Sequence, residues 1–114
     1  MSTKTTNVVA WVLSVLLGLA FLGSGGSKLA GAAPMVALFS KLGLGQWMRY
    51  VTGSLEIAGA VGVLIPRVRF YGALVLACVM TGAIIAHLTV LGGNPTPPIV
   101  LLALATTVAY LRRP

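Results

Sequence analysis

The sequence predicts an all-α membrane protein, a four-transmembrane-helix bundle with a short interfacial helix between helices 1 and 2. Three observations predict it. Of 114 residues, 58% are hydrophobic and only 8% charged, against roughly 25% charged in an ordinary soluble domain, and the mean hydropathy is +1.01. The apolar residues gather into four long runs, the form that a ~30 Å hydrocarbon layer demands. The breaks between runs hold the glycines, prolines and basic residues that end helices and mark membrane edges. At roughly 100 to 200 residues per domain, residues 1–114 make a single transmembrane domain with no room for a separate soluble catalytic one.

The first run, Val8 to Gly26, is 19 residues without a charge and ends in the glycine-rich Gly23-Ser24-Gly25-Gly26-Ser27-Lys28. Lys4 ahead of it and Ala30-Gly31-Ala32 behind it imitate a cleaved signal peptide, but three more runs follow, so a retained first helix is expected. From Pro34 to Leu42, Met35, Leu38, Phe39 and Leu42 fall at i, i+3, i+4 and i+7, with Ser40 and Lys41 off that stripe. This spacing predicts a short helix lying on the membrane surface.

The second run, Gln46 to Ile65, carries Trp47 and Tyr50 at its start, the amphipathic rings expected at headgroup level, and is stopped by Pro66. The third, Phe70 to Leu91, contains His87 and ends at Gly92-Gly93-Asn94-Pro95, a composition no helix continues through. In the fourth, Thr96 is expected to cap and Pro97 to occupy the first turn. It closes at Leu111 before Arg112 and Arg113. The expected spans are 8–26, 46–65, 70–91 and 97–111; the last covers only about 22 Å, so its arginines reach outward to the interface.

The net charge is +7, from eight basic residues and one acid. The basic residues are scattered at the ends of apolar runs, the pattern of membrane anchoring and not of nucleic-acid binding. With four spans, Lys4, Arg67, Arg69, Arg112 and Arg113 share one side, and Lys28, Lys41 and Arg49 the other. The positive-inside rule then expects cytoplasmic N- and C-termini. Cys78 is the only cysteine, which excludes an internal disulfide, a CxxC redox pair and a cysteine zinc cluster. Any redox role therefore draws on a cofactor or a partner.

The acid is Glu56, and it lies inside the second span. Arg49, Thr52, Gly53, Glu56, Gly59, Ala60 and Val63 recur at steps of three or four and form one stripe of small and polar residues. Small residues let membrane helices approach closely, so this stripe is expected to face the bundle interior. Counting along the helices puts Glu56 about 15 Å from Gln46 and His87 about 6 Å from Leu91, both in the outer half of the bilayer. A carboxylate there needs a partner, and Lys28, Arg49 and His87 are within reach. Lys28, Arg49, Glu56 and His87 are thus the candidate polar site. It is either a clasp that staples helices or a polar cavity that binds a proton, an ion or the head of a lipid-soluble molecule such as a quinone.

A metal is not expected, since one imidazole beside one carboxylate supplies two ligands where zinc needs three or four. Met80, seven residues before His87, is expected to pack and not to ligate. Thr81, Thr106 and Thr107 are expected to bond backbone carbonyls of their own helices.

Four pieces of the chain, in this order, resemble the DoxX-like family of small four-helix membrane proteins. They are Phe21, Ser24, Gly25, Lys28 and Leu29 as F-x-x-S-G-x-x-K-L; Phe39, Leu42, Gly43 and Leu44; Gly53, Glu56, Gly59, Ala60, Leu64 and Pro66 as G-x-x-E-x-x-G-A-x-x-x-L-x-P; and Met80, Ala83 and His87. The resemblance implies a bundle whose relatives include a subunit associated with quinone-linked oxidation of sulfur compounds and a bacterial membrane component that assembles with soluble oxidant-defence enzymes. More distant relatives resemble assembly chaperones or cargo receptors. The resemblance implies a bacterial-type inner membrane and an oxidoreductase partner, while the apolar runs imply the lipid bilayer and the large lipid-facing surface of so small a bundle leaves room for further copies of the chain.

Three functions follow as expectations. The first is a component of a quinone-linked or oxidant-handling system, in which the site accepts a quinone-like ligand or docks a partner enzyme, with Glu56 and His87 exchanging protons. A scaffold or assembly factor without chemistry is the second. The third is a small proton-coupled transporter. The chain resembles the small multidrug exporters in size, but its glutamate lies in the second helix and it has only eight aromatic residues.

Overall fold

The computed structural model describes residues 2–114 and contains, among them, five α-helices and no strand. Helix α1 spans Thr3–Ala30, α2 Ala33–Leu42, α3 Trp47–Leu64, α4 Arg69–Ala86 and α5 Thr96–Arg112. A 3-10 turn, Pro66–Val68, joins α3 to α4, and a π-helical turn, His87–Leu91, prolongs α4.

Helix α1 is capped at its start by the Ser2 hydroxyl, which accepts from the Thr5 amide at 3.1 Å. It continues unbroken through Gly23–Gly26 and stops at Gly31, whose φ of 74° only glycine adopts freely. The expected limit near Gly26 is thus passed by a full turn. An interior helical glycine costs roughly 1 kcal/mol relative to alanine; contact with α3 along this stretch offsets the weak local propensity.

Helix α2 matches the expected short amphipathic segment. Phe39 is buried and Met35, Leu38 and Leu42 are half-buried, so the apolar stripe faces the other helices. Two polar contacts tie it down. Gln46 Nε2 donates to the Val36 carbonyl at 3.1 Å, and Lys41 Nζ donates to the Leu91 carbonyl at the end of the π turn at 2.8 Å. The start of α5 differs from expectation: Pro95 and not Thr96 stands at the N-cap, Thr96 is the first helical residue, and its amide donates to the Asn94 side chain at 3.0 Å.

Helices α1, α3, α4 and α5 pack side by side, each antiparallel to the next, with α5 closing back on α1. Their common core is Leu17 and Phe21 from α1, Ala60 and Val63 from α3, Ala73, Leu76 and Met80 from α4, and Ala105, Val108 and Ala109 from α5. Met80 packs there, as expected. Thr81, Thr106 and Thr107 bond the carbonyls of Ala77, Leu102 and Ala103.

The assembly is elongated, 46 × 25 × 20 Å. Thr3–Ala30 and Pro66–Leu91 are each long and apolar enough to cross a membrane, with peak mean hydropathies of 2.1 and 2.3. Large apolar side chains cover the outward faces, including Val12, Leu16 and Leu19 on α1 and Leu74 and Ile85 on α4. Exposed rings gather toward the two ends, Trp47 and Tyr50 beside α2, and Trp11, Tyr71 and Tyr110 at the opposite end.

Candidate functional site

The expected stripe on α3 does face inward: Arg49, Gly53, Glu56, Gly59, Ala60 and Val63 are all buried. Packing begins with backbone proximity. A Cβ added at Gly25 of α1 would lie 2.8 Å from the Gly53 carbonyl oxygen, and one added at Gly53 would lie 3.0 Å from Lys28 Cβ. Neither residue has a Cβ, so α1 and α3 meet nearly backbone to backbone, as small residues permit between membrane helices. That proximity brings Lys28 over Glu56.

Two side chains converge on one oxygen. Glu56 Oε1 receives Lys28 Nζ at 2.9 Å and the Ser24 hydroxyl at 2.8 Å, and Lys28 Nζ also lies 2.7 Å from Ser24 Oγ. Ser24 and Lys28 are four residues apart on α1 and so project from one face. The Glu56 side chain is 1% exposed and that of Lys28 12%, so the carboxylate is enclosed beneath the lysine and the half-buried Ser24.

Arg49 is brought to the same junction but not to Glu56. Its Nη1 donates to the Lys28 carbonyl, its Nε to Gln46 Oε1 at 2.8 Å, and its Nη2 to the Tyr50 hydroxyl at 3.1 Å. The guanidinium also lies over the Tyr50 ring, 4.4 Å from its centre. The last carbonyls of a helix lack intrahelical donors and carry partial negative charge, so a buried cation is stabilised there. Arg49 therefore caps the end of α1.

His87 is not brought to the cluster. Its Nδ1 donates to the Ala83 carbonyl at 2.9 Å, one turn back in its own helix, and no hydrogen bond joins it to Lys28 or Glu56. Of the four expected residues, Lys28 and Glu56 meet directly, Arg49 joins them through the Lys28 backbone, and His87 stands apart. Ser24 was missing from the expected set; its place four residues before Lys28, the spacing that puts two side chains on one helix face, is the signal that could have found it. The apolar surface cleft lined by Tyr50, Val51, Ser54, Leu55 and Ala58 and the polar one lined by Thr6, Tyr110, Leu111, Arg113 and Pro114 both exclude Glu56.

At the opposite end Arg69, 2% exposed, donates from Nε to the Val63 carbonyl at 2.6 Å and lies over the Trp11 ring, 4.1 Å from its centre. Arg112 Nη2 donates to Asn7 Oδ1 at 2.7 Å and so ties α5 to α1. Composition treats these arginines as loop and tail charges. Nothing in local spacing shows that Trp11, some 58 positions away in the chain, covers Arg69.

The model of the DoxX-like family covers residues 12–109, which include Ser24, Lys28, Glu56 and His87. No curated protein and no solved structure matches the chain. With nearly its whole length matched, the chain belongs to the DoxX-like family and is a membrane protein with helices able to span the bilayer.

Proposed function

We propose that the chain is a four-span inner-membrane protein that serves as a non-catalytic component of a quinone-linked or oxidant-handling system, docking a partner oxidoreductase. Helices α1, α3, α4 and α5 are its spans, with the termini cytoplasmic and Glu56 in the outer half. The rings exposed at the two ends fit the two headgroup layers. The five basic residues at the Arg69 end against three at the Lys28 end fit the positive-inside rule.

The enclosure of Glu56 carries the choice between docking and chemistry. The only acid of the chain is engaged by Lys28 and Ser24 and is 1% exposed, so a quinone head or transported proton would first have to displace the lysine. A carboxylate so engaged supports helix packing better than turnover.

The test is purification of wild type and Glu56→Gln from native membranes in mild detergent, with analysis of bound proteins and quinone. Wild type is expected to bring an oxidoreductase partner without stoichiometric quinone, and Glu56→Gln to lose partner and thermal stability together. Stoichiometric quinone in wild type that disappears from a folded, partner-bound Glu56→Gln protein would overturn the docking reading in favour of a ligand site.

A further inference from the structure

We propose that Arg69 and Arg112 form a binding site for a phosphate-type anion, at the end of the bundle opposite Glu56. Arg69 is almost wholly buried, with Nε bonded to the Val63 carbonyl and one guanidinium face on Trp11. Its Nη2 is nevertheless buried without a hydrogen-bond partner among the described residues. Arg112, whose charge acts on Arg69, is bonded to Asn7 through Nη2, and its buried Nε likewise has no partner among the described residues. Two neighbouring like charges with unmet buried donors are an unfavourable arrangement as they stand.

Among the described residues neither guanidinium makes an ion pair. The chain's only carboxylate side chain, Glu56, is engaged by Lys28 at the other end of the helices. Both orphan atoms are buried, so an external anion enters only as the Arg112 side chain shifts to admit it; it then accepts from both donors and offsets the repulsion. Phosphate suits the task, because its several oxygens serve two guanidiniums at once and the planar arginine fork matches their geometry. Trp11 and Tyr110, exposed at this end, mark the level at which lipid phosphates lie. The phosphate belongs either to an anionic phospholipid headgroup or to a soluble phosphate. The inference rests on the membrane reading alone, and its test shares no readout with partner recovery.

The experiment is thermal unfolding of delipidated protein in neutral detergent, followed by tryptophan emission. Phosphatidylglycerol, phosphatidylcholine or inorganic phosphate is added at matched ionic strength. Wild type and Arg113→Gln are expected to gain about 5 °C in Tm with phosphatidylglycerol and nothing with phosphatidylcholine. Arg112→Gln is expected to lose that gain relative to its own lipid-free Tm. Arg112→Lys, which keeps the charge without the fork, is a second variant that guards against misfolding and should retain less than half the gain. Inorganic phosphate reproducing the shift, with the same dependence on Arg112, assigns the ligand to solution; a shift with lipid alone assigns it to the headgroup. No shift in wild type with any addition overturns the proposal. Equal loss of the shift in Arg112→Gln and Arg113→Gln, the signature of diffuse charge, overturns it too.

Discussion

Lys28 Nζ stands 2.9 Å from Glu56 Oε1, and this contact joins α1 to α3 beside the point where Gly25 and Gly53 bring the two backbones closest. Lipid tails are as apolar as leucine, so helices in a membrane gain little from apolar burial against each other; close packing and polar contacts hold them. The Lys28–Glu56 contact supplies both in one place.

The two partners should respond unequally to removal. Lys28→Met leaves a fully enclosed carboxylate without its cation and is expected to lower unfolding stability by about 3 kcal/mol. Glu56→Gln keeps an acceptor for Ser24 and leaves an ammonium that can reach outward, so about 1 to 2 kcal/mol is expected. The double variant should fall short of the sum by at least ~1 kcal/mol in denaturant titration of the detergent-solubilised protein. Strict additivity would show that the two charges do not act as a pair.

Glycine substitutions separate close approach from helix propensity. At Gly72 an added Cβ would lie 2.5 Å from the Val63 amide nitrogen and 2.6 Å from the Gly62 carbonyl carbon, both backbone atoms that cannot turn aside. Gly72→Ala should cost about 3 kcal/mol or prevent folding. At Gly26 nothing lies within 4 Å of the added atom, so Gly26→Ala should be neutral or stabilise by up to ~1 kcal/mol. Thermal unfolding of the two variants side by side checks the contrast, and similar losses in both would refute the α3–α4 packing described above.

Arg49 caps α1 through geometry that lysine cannot copy. Arg49→Lys keeps the charge but gives up the fan of contacts to the Lys28 carbonyl, Gln46 and Tyr50. A loss of about 1 to 2 kcal/mol is expected, with faster hydrogen exchange concentrated in residues 31–46. Unchanged exchange in that segment would remove the capping role.

The single cysteine offers a test of the membrane reading without any substitution. Cys78 is exposed on the outward side of α4. A nitroxide attached there in reconstituted vesicles should be relaxed more strongly by oxygen, which concentrates in hydrocarbon, than by a water-soluble nickel complex. The reverse order would place Cys78 in water and sink the four-span arrangement.

The helices and their ends were largely legible because the signals are local. Pro66 stops α3, and the spacing of Met35, Leu38, Phe39 and Leu42 marks the short helix α2, whose apolar stripe packs toward the other helices. Two expectations missed for one reason. The glycines of α1 read as a terminus, yet Gly25 lies inside the helix against Gly53, and Thr96 read as a cap, yet it is the first helical residue and its amide is met by the Asn94 side chain. Propensity is a weak prior wherever contact with another element, or a neighbouring side chain with better reach, decides the local geometry.

The sequence by itself determined that Glu56 is the lone acid, within an apolar helix, on a face of small residues, because composition and a period of 3.6 are properties of one segment. Which cation meets it was decided only by tertiary structure. Lys28, Arg49 and His87 were equally eligible by depth, but the Gly25–Gly53 contact sets how α1 is turned and how far it slides against α3. That single placement puts the Lys28 stem over Gly53 and directs Arg49 to the α1 carbonyls, while His87 bonds Ala83 in its own helix. Rotation and offset between helices depend on atoms far apart in the chain, and no one-segment pattern encodes them.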